Sequence, residues 1–123
     1  MRNTVVIILA ILMLFFGILS QIYIEKTSDD LFALAKEIYN SLDSDSNPSV
    51  AIENFIDKYK QERTMLNLIH DSAIFDDLDI LLGELEINVN AENKEEALIC
   101  TLEIMHSLKT FGEYNRFTLA NYL

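Results

Sequence analysis

The stretch TVVIILAILMLFFGILSQIYI, residues 4–24, decides the architecture of the chain, because none of its 21 residues carries a charge. At a rise of about 1.5 Å per residue, an α-helix of this length is about 31 Å long, which matches the hydrocarbon core of a bilayer. We therefore predict that residues 4–24 form a helix that crosses the lipid bilayer.

A cleaved secretory signal is the main alternative to an anchor. Such a signal has an apolar region of roughly 7–15 residues that ends in a small-x-small cleavage site. Here the apolar run is longer, and its small residues Gly17 and Ser20 have Ile and Leu beside them. We therefore favour an uncleaved anchor, and the length and purity of the run argue against a soluble core helix.

The charges on the two sides of the span indicate its orientation. Arg2 precedes the span, whereas acidic residues predominate in the segment 25–30 that follows it. The positive-inside tendency then places the amino terminus in the cytoplasm. We expect a single-pass protein of the cell membrane, with an anchor at residues 1–25 and an extracytoplasmic domain at residues 26–123.

The domain beyond the span is small and strongly acidic. Of the nine Lys and Arg residues only Arg2 precedes the span, so eight oppose 20 Asp and Glu residues, a net charge of −12. Nucleic acid is excluded as an expected partner, because phosphate binding requires a basic surface. Docking of the domain onto anionic lipid is disfavoured for the same reason.

The domain cannot form an internal disulfide, because Cys100 is the only cysteine in the sequence. It lies among Leu98, Ile99 and Leu102, and we expect a buried small side chain there. An intermolecular disulfide is the alternative.

The spacing of apolar residues predicts helices throughout. The chain has one proline and three glycines, too few for the turns of an all-β fold of this size. The first predicted helix is capped by Thr27 or Ser28 and has an apolar face of Leu31, Leu34, Ala35, Ile38 and Leu42. The next begins with Asn47 as cap and Pro48 as first residue, and carries Ile52, Phe55, Ile56 and Tyr59 on one face.

The second half of the chain continues this pattern. Residues 48–89 are compatible with one long helix or with two, the second having the face Ile74, Leu78, Leu81 and Leu85. After a turn at Asn90 and Asn93, a last helix aligns Ala97, Thr101, Ile104, Leu108 and Phe111, with Leu98, Leu102 and Met105 beside them. Gly112 is expected to stop it and to leave a short tail. We predict an all-α fold in which the transmembrane helix is followed by a small antiparallel helical bundle.

Few residues are candidates for a functional site. His70 and Asp71 begin an acidic patch, and His106 on the last helix is placed to meet His70 across the bundle. A shared metal site is one hypothesis, although the His-Glu-x-x-His pattern is absent and ordinary structural histidines are favoured. Asn121, near the carboxyl end, is expected to satisfy backbone groups.

The sequence does not predict an enzyme. Ser72 lacks the flanking glycines of a nucleophile elbow, and Cys100 has no neighbouring base. Adjacent carboxylates such as Asp76 and Asp77 point about 100° apart on a helix, as is usual for solvated faces. We expect no cofactor.

The chain resembles the domain-of-unknown-function family 4363, small anchored helical proteins found mainly in spore-forming Gram-positive bacteria. The resemblance rests on the amino-terminal span, on Leu68-Ile69-His70 and on the ending Leu119-Ala120-Asn121-Tyr122-Leu123. Family members carry a tryptophan before the His and a second His before the tail, whereas this chain has no Trp and has Thr110 near that second place. The resemblance implies a non-enzymatic accessory protein that acts beside a multispan membrane protein.

Two functional hypotheses follow from these features. The first is a non-catalytic accessory or interaction module that binds another membrane protein through its helix faces or its span. The alternative is an extracytoplasmic sensor domain that takes up a small ligand or a cation in the bundle core or near His70.

Overall fold

The computed structural model of the protein describes residues 2–69 and 73–122. Its four helices are, in chain order, α1 (Arg2–Asp43), α2 (Ser49–Ile69), α3 (Ala73–Asn90) and α4 (Lys94–Tyr122). No strand occurs in these described residues, and the predicted all-α class is confirmed. The question left open by the sequence for residues 48–89 is answered by two helices, α2 and α3.

α1 is one continuous helix of 42 residues that runs from the apolar stretch into the bundle. The prediction that Thr27 or Ser28 caps a new helix is therefore wrong. No glycine or proline interrupts residues 18–43, and both hydroxyl side chains are buried in the helix interface. The expected boundary between residues 25 and 26 falls inside a single helix.

The helices pack in the order α2, α1, α4, α3, because α1 contacts both α2 and α4 while α3 contacts α4. α1 and α4 run in opposite directions. Lys94 at the start of α4 donates to Asp45 just past the end of α1, with Nζ 2.8 Å from Oδ1. Leu108, farther along α4, meets Ser28, which lies earlier in α1. The arrangement is that of an antiparallel helical bundle.

The bundle core consists of residues spaced three or four apart on each helix. On α1 and α2 the buried apolar residues are Ile24, Leu31, Ala35, Ile38, Leu42, Ala51, Ile52, Phe55, Tyr59 and Leu66. On α3 and α4 they are Phe75, Leu78, Leu82, Leu85, Ala97, Cys100, Ile104, Leu108 and Phe111. The predicted line on α4 is confirmed with Thr101 also buried, but the expectation that Leu102 joins the core is wrong, because its side chain is exposed.

The loops at the far end of the bundle are built from short helix caps. Asn47 Oδ1 accepts the Ser49 backbone N–H at 3.0 Å, which confirms the predicted cap of α2. A residue in the left-handed conformation lies two positions after the end of α1 and of α3: Asp45 at φ 57° and Glu92 at φ 56°. The hydrogen bonds around Glu92 run from its N–H to Val89 O and from Asn93 N–H to Asn88 O. These are the two bonds of a Schellman motif, and a glycine usually occupies its left-handed position.

α4 does not stop at Gly112 but continues to Tyr122, so the predicted helix stop and short tail are wrong. Gly112 lies where α4 approaches α1. A Cβ added at this position would lie 3.0 Å from Ser28 Oγ. The glycine therefore serves close helix packing instead of helix termination.

Candidate functional site

An open groove of about 550 Å³ lies between α3 and α4 on the outside of the bundle. The residues that line it are Asp77, Ile80 and Leu81 from α3 and Ile99, Leu102, Glu103, His106 and Ser107 from α4. Both sets are spaced three and four apart, so each forms one continuous stripe on its helix. Of the residues that the sequence singles out as candidates, His106 is the one that lies here.

The floor of the groove is apolar and open to solvent. The exposed fractions are 61% for Ile80, 47% for Ile99 and 48% for Leu102. The same helices bury a different stripe in the bundle core, which includes Leu85 and Ile104. α3 and α4 therefore carry apolar residues on two faces, and the second face has no covering helix among the described residues.

Acidic side chains stand at the rim of the groove. Asp77 on α3 and Glu103 on α4 are both exposed, and no ion pair joins either carboxylate to a described residue. His106 is exposed beside them. The described lining includes no lysine or arginine. The groove thus combines an apolar floor with a negative rim.

The other predicted site residues are His70, Asp71 and Asn121. His70 and Asp71 lie outside the described residues, so the predicted meeting of His70 with His106 stays a prediction. Asn121 falls in the last turn of α4, and its side chain is likewise outside the description. Within residues 2–69 and 73–122, no group of three or more His, Cys, Asp or Glu side chains is placed to hold a metal ion.

A buried tyrosine links α2 to α3. The Tyr59 hydroxyl lies 2.9 Å from Asp79 Oδ1 and 3.0 Å from the Phe75 carbonyl oxygen, and it donates to these acceptors. Arg63 completes the cluster through Nη1 at 2.5 Å from Asp79 Oδ2. Burial, followed by the hydrogen bond to Asp79, raises the pKa of Tyr59 well above its usual value. The hydroxyl stays protonated at neutral pH, which suits a structural link and not a general base.

The thiol of Cys100 is also in a structural setting. Its Sγ is buried in the core, 3.7 Å from Asn88 Nδ2 and 3.9 Å from Glu84 Oε2. Burial, and then the charge of Glu84, raise the pKa of the thiol. A buried, protonated thiol is a poor nucleophile and a poor partner for an intermolecular disulfide.

The apolar half of α1 forms a second exposed surface. Between Val5 and Ile22, 14 large apolar side chains are exposed, and the most apolar window of the helix has no buried residue. α1 is long and apolar enough to cross a membrane. A surface of this size far exceeds the exposed patches of soluble monomers.

Comparison with known proteins adds no assignment: no family model, no curated protein and no solved structure matches the chain. The resemblance to family 4363 therefore stays a prediction.

Sequence reasoning missed the groove residues Ile80 and Ile99 and treated Leu102 as core. One signal was available. Ile99 and Leu102 are three apart and lie off the Ala97–Leu108 line, so α4 has more apolar residues than one buried face requires. The covered face of α4 depends on where α3 packs against it, and the sequence of α4 alone does not contain that information.

Proposed function

We propose that the protein is a single-pass, membrane-anchored interaction module without catalytic activity, whose bundle binds another membrane protein. The observation that carries the proposal is the continuity of α1. Its first half is exposed and apolar, and its second half packs between α2 and α4. One rigid helix thus joins a lipid-compatible segment to the folded domain.

The exposed half of α1 supports the anchor against the two alternatives. A core helix would bury these side chains, since each buried Leu or Ile contributes about 1.5–3 kcal/mol. A cleaved signal would separate from the domain. Here Gln21, Ile24, Thr27 and Ser28 are already buried in the bundle, so a cut near the end of the apolar run would remove or expose packed residues.

The charge pattern supports an extracytoplasmic bundle. Arg2 precedes the span and the acidic segment 25–30 follows it, which favours a cytoplasmic amino terminus. The part of the chain after residue 24 then faces outward with its net charge of −12. That charge disfavours nucleic acid and anionic lipid headgroups as partners of the bundle and leaves protein as the favoured class.

The polar groups of the described bundle support a binding role over catalysis. Burial, and then the hydrogen bond to Asp79, raise the pKa of Tyr59 and keep it protonated, and Cys100 is buried. The open groove between α3 and α4 offers an apolar floor for contact. The resemblance to family 4363 agrees with an accessory protein, although no comparison supports that membership.

The experiment is cross-linking in membranes of the cells that make the protein. Four forms are compared: the native chain, a chain whose residues 4–24 are replaced by an unrelated span, one carrying Leu102→Gln in the groove and a matched control carrying Ile87→Gln. Ile87 is an exposed α3 residue, 68% accessible, that does not line the groove. We expect the native chain and the control to capture the same membrane protein.

The modified forms then locate the contact. Loss of capture with the replaced span assigns the contact to the helix in the bilayer, and loss with Leu102→Gln assigns it to the groove. If the native chain captures only itself or nothing, the proposal is wrong. A thermal-shift screen of the full chain with metal ions and small solutes would then test the sensor hypothesis.

A further inference from the structure

We propose that the groove between α3 and α4 receives an amphipathic helix of another membrane protein, which lies just outside the bilayer and carries Lys or Arg on both sides of its apolar stripe. This inference rests on the proposed function and specifies its partner. It draws on three observations: the apolar floor, the acidic rim and the height of the groove above the span.

The floor of the groove matches the apolar stripe of a helix. Ile80 and Leu81 line it from α3, and Ile99 and Leu102 line it from α4. The two pairs present a trough between antiparallel helices. A third helix can place residues at i, i+3, i+4 and i+7 into such a trough, which is how helices dock in grooves.

The rim selects the charge of the occupant. Asp77 stands on the α3 side and Glu103 on the α4 side, and neither has an ionic partner among the described residues. Basic residues flanking the apolar stripe of the incoming helix would meet one carboxylate on each wall. Such complementarity speeds association and excludes partners of the wrong charge.

The same charges disfavour a second copy of this chain as the occupant. In a two-fold pairing through the groove, the Asp77 and Glu103 of one copy would approach those of the other. Like charges brought together in a desolvated contact cost free energy, and the chain as a whole carries a charge of −11. No described lysine or arginine lines the groove to offset this repulsion.

The distance of the groove from the end of the predicted span restricts where the partner helix lies. Ser28 meets Leu108, and Ser28 is four residues past Ile24, the end of the predicted span. Leu102 is six residues farther from the membrane along α4. At about 1.5 Å per residue, Leu102 lies about 15 Å beyond the end of the span. Since α1 is continuous, it fixes the distance of the groove from Ile24, and a segment next to a transmembrane helix is in reach.

The test measures binding of a synthetic helix to the full chain in phosphatidylcholine nanodiscs. The probe is a fluorescent 18-residue peptide with Leu at i, i+3, i+4 and i+7 and Lys on both sides of that stripe. A second peptide has Glu in place of every Lys. Fluorescence anisotropy is read against empty nanodiscs. We expect the Lys peptide to bind and the Glu peptide to bind at least 10-fold more weakly.

Matched variants show whether the groove is the site. We expect Leu102→Gln to weaken binding of the Lys peptide at least 10-fold, and the pair Asp77→Asn with Glu103→Gln to weaken it several-fold and to reduce its salt dependence. The controls are Ile87→Gln, and the pair Glu37→Gln with Glu53→Gln, which removes two exposed acids elsewhere. Both controls should bind like the unmodified chain.

Three results would overturn the inference: no binding of the Lys peptide, equal weakening by the control variants, or dimerisation of the chain that Leu102→Gln abolishes. The cross-linking experiment separates this failure from failure of the proposed function. If Leu102→Gln still captures the native partner, the interaction module stands and the groove assignment is wrong. If no form captures a membrane protein, the proposed function itself fails.

Discussion

The Ser28 hydroxyl donates a hydrogen bond to the main-chain carbonyl oxygen of Leu108 over 2.5 Å, and this bond joins α1 to α4 inside the bundle. Gly112, one turn farther along α4, leaves room for the same hydroxyl. Because α1 continues from Ser28 into the apolar stretch, this contact connects the bundle to that stretch.

A side chain at position 112 should crowd the Ser28 hydroxyl in the contact between α1 and α4. We expect Gly112→Val to lower the free energy of unfolding by about 2 kcal/mol, because its Cβ would meet a buried oxygen that is already hydrogen-bonded. Urea unfolding of the full chain in detergent, followed by circular dichroism, measures the change. Adding Ser28→Ala should remove part of the penalty, and strictly additive effects of the two changes would contradict the contact.

Gly83 is the matched control for Gly112. It lies within α3, and a Cβ added there meets nothing within 4 Å. We expect Gly83→Ala to raise the free energy of unfolding by about 0.5–1 kcal/mol, the usual difference in helix propensity between Ala and Gly. A loss of stability would mean that α3 is not a regular helix at this position.

The left-handed residue after α3 is a position where introducing a glycine should stabilise the chain. Glu92 has φ 56° and closes a Schellman motif, a conformation that costs a residue with a Cβ about 1 kcal/mol or more. We expect Glu92→Gly to stabilise the chain by about 1 kcal/mol in the same urea assay. Glu95→Gly, within the first turn of α4, should destabilise it, because there the glycine only adds chain entropy to the unfolded state.

The tyrosine between α2 and α3 predicts a specific pH dependence. The pKa of Tyr59 is raised in the folded chain, mainly by burial, so the unfolded chain loses the proton first as the pH rises. The contribution of Tyr59 to the free energy of unfolding is therefore complete below pH about 10 and falls above it. Tyr59→Phe should cost about 1 kcal/mol at pH 7 and flatten the decline above pH 10. Tyr39→Phe, on α1, should keep that decline, and an equal effect of both would refute the assignment.

The buried thiol gives a probe of folding. Cys100 is buried and its pKa is raised, chiefly by burial. We expect a thiol reagent to modify the folded chain at least about 10-fold more slowly than the urea-unfolded chain. Ile104→Ala, which removes buried side-chain atoms one helical turn from Cys100, should speed the reaction. Equal rates in the folded and unfolded chains would show that α4 does not bury this face.

Much of the fold could be predicted from local patterns. The inward positions of α1 from Leu31 to Leu42, and of α4 from Ala97 to Phe111, were correctly predicted because three- and four-residue spacing is a property of one helix. The Asn47 cap was predicted for the same reason, since the cap and the Ser49 N–H that donates to it are two residues apart.

The errors concern residues whose role depends on another helix. Ser28 has the chemistry of a cap but bonds to α4, and Gly112 has the chemistry of a helix stop but makes room for α1. Leu102 fits a core stripe but faces outward, because α3 packs beside it and not over it. The groove follows from these contacts between helices, and single-helix periodicity contains no information about them.

The most direct test of the anchored bundle is to express the chain with a carboxyl-terminal tag, wash the membranes with alkaline carbonate and determine the intact mass of the protein that remains. We expect the tagged protein to stay in the membrane fraction with residues 4–24 attached, and Leu12→Arg with Leu14→Arg to release it or prevent its insertion. Recovery of a shortened chain in the soluble fraction, beginning near residues 20–30, would contradict the continuous anchor.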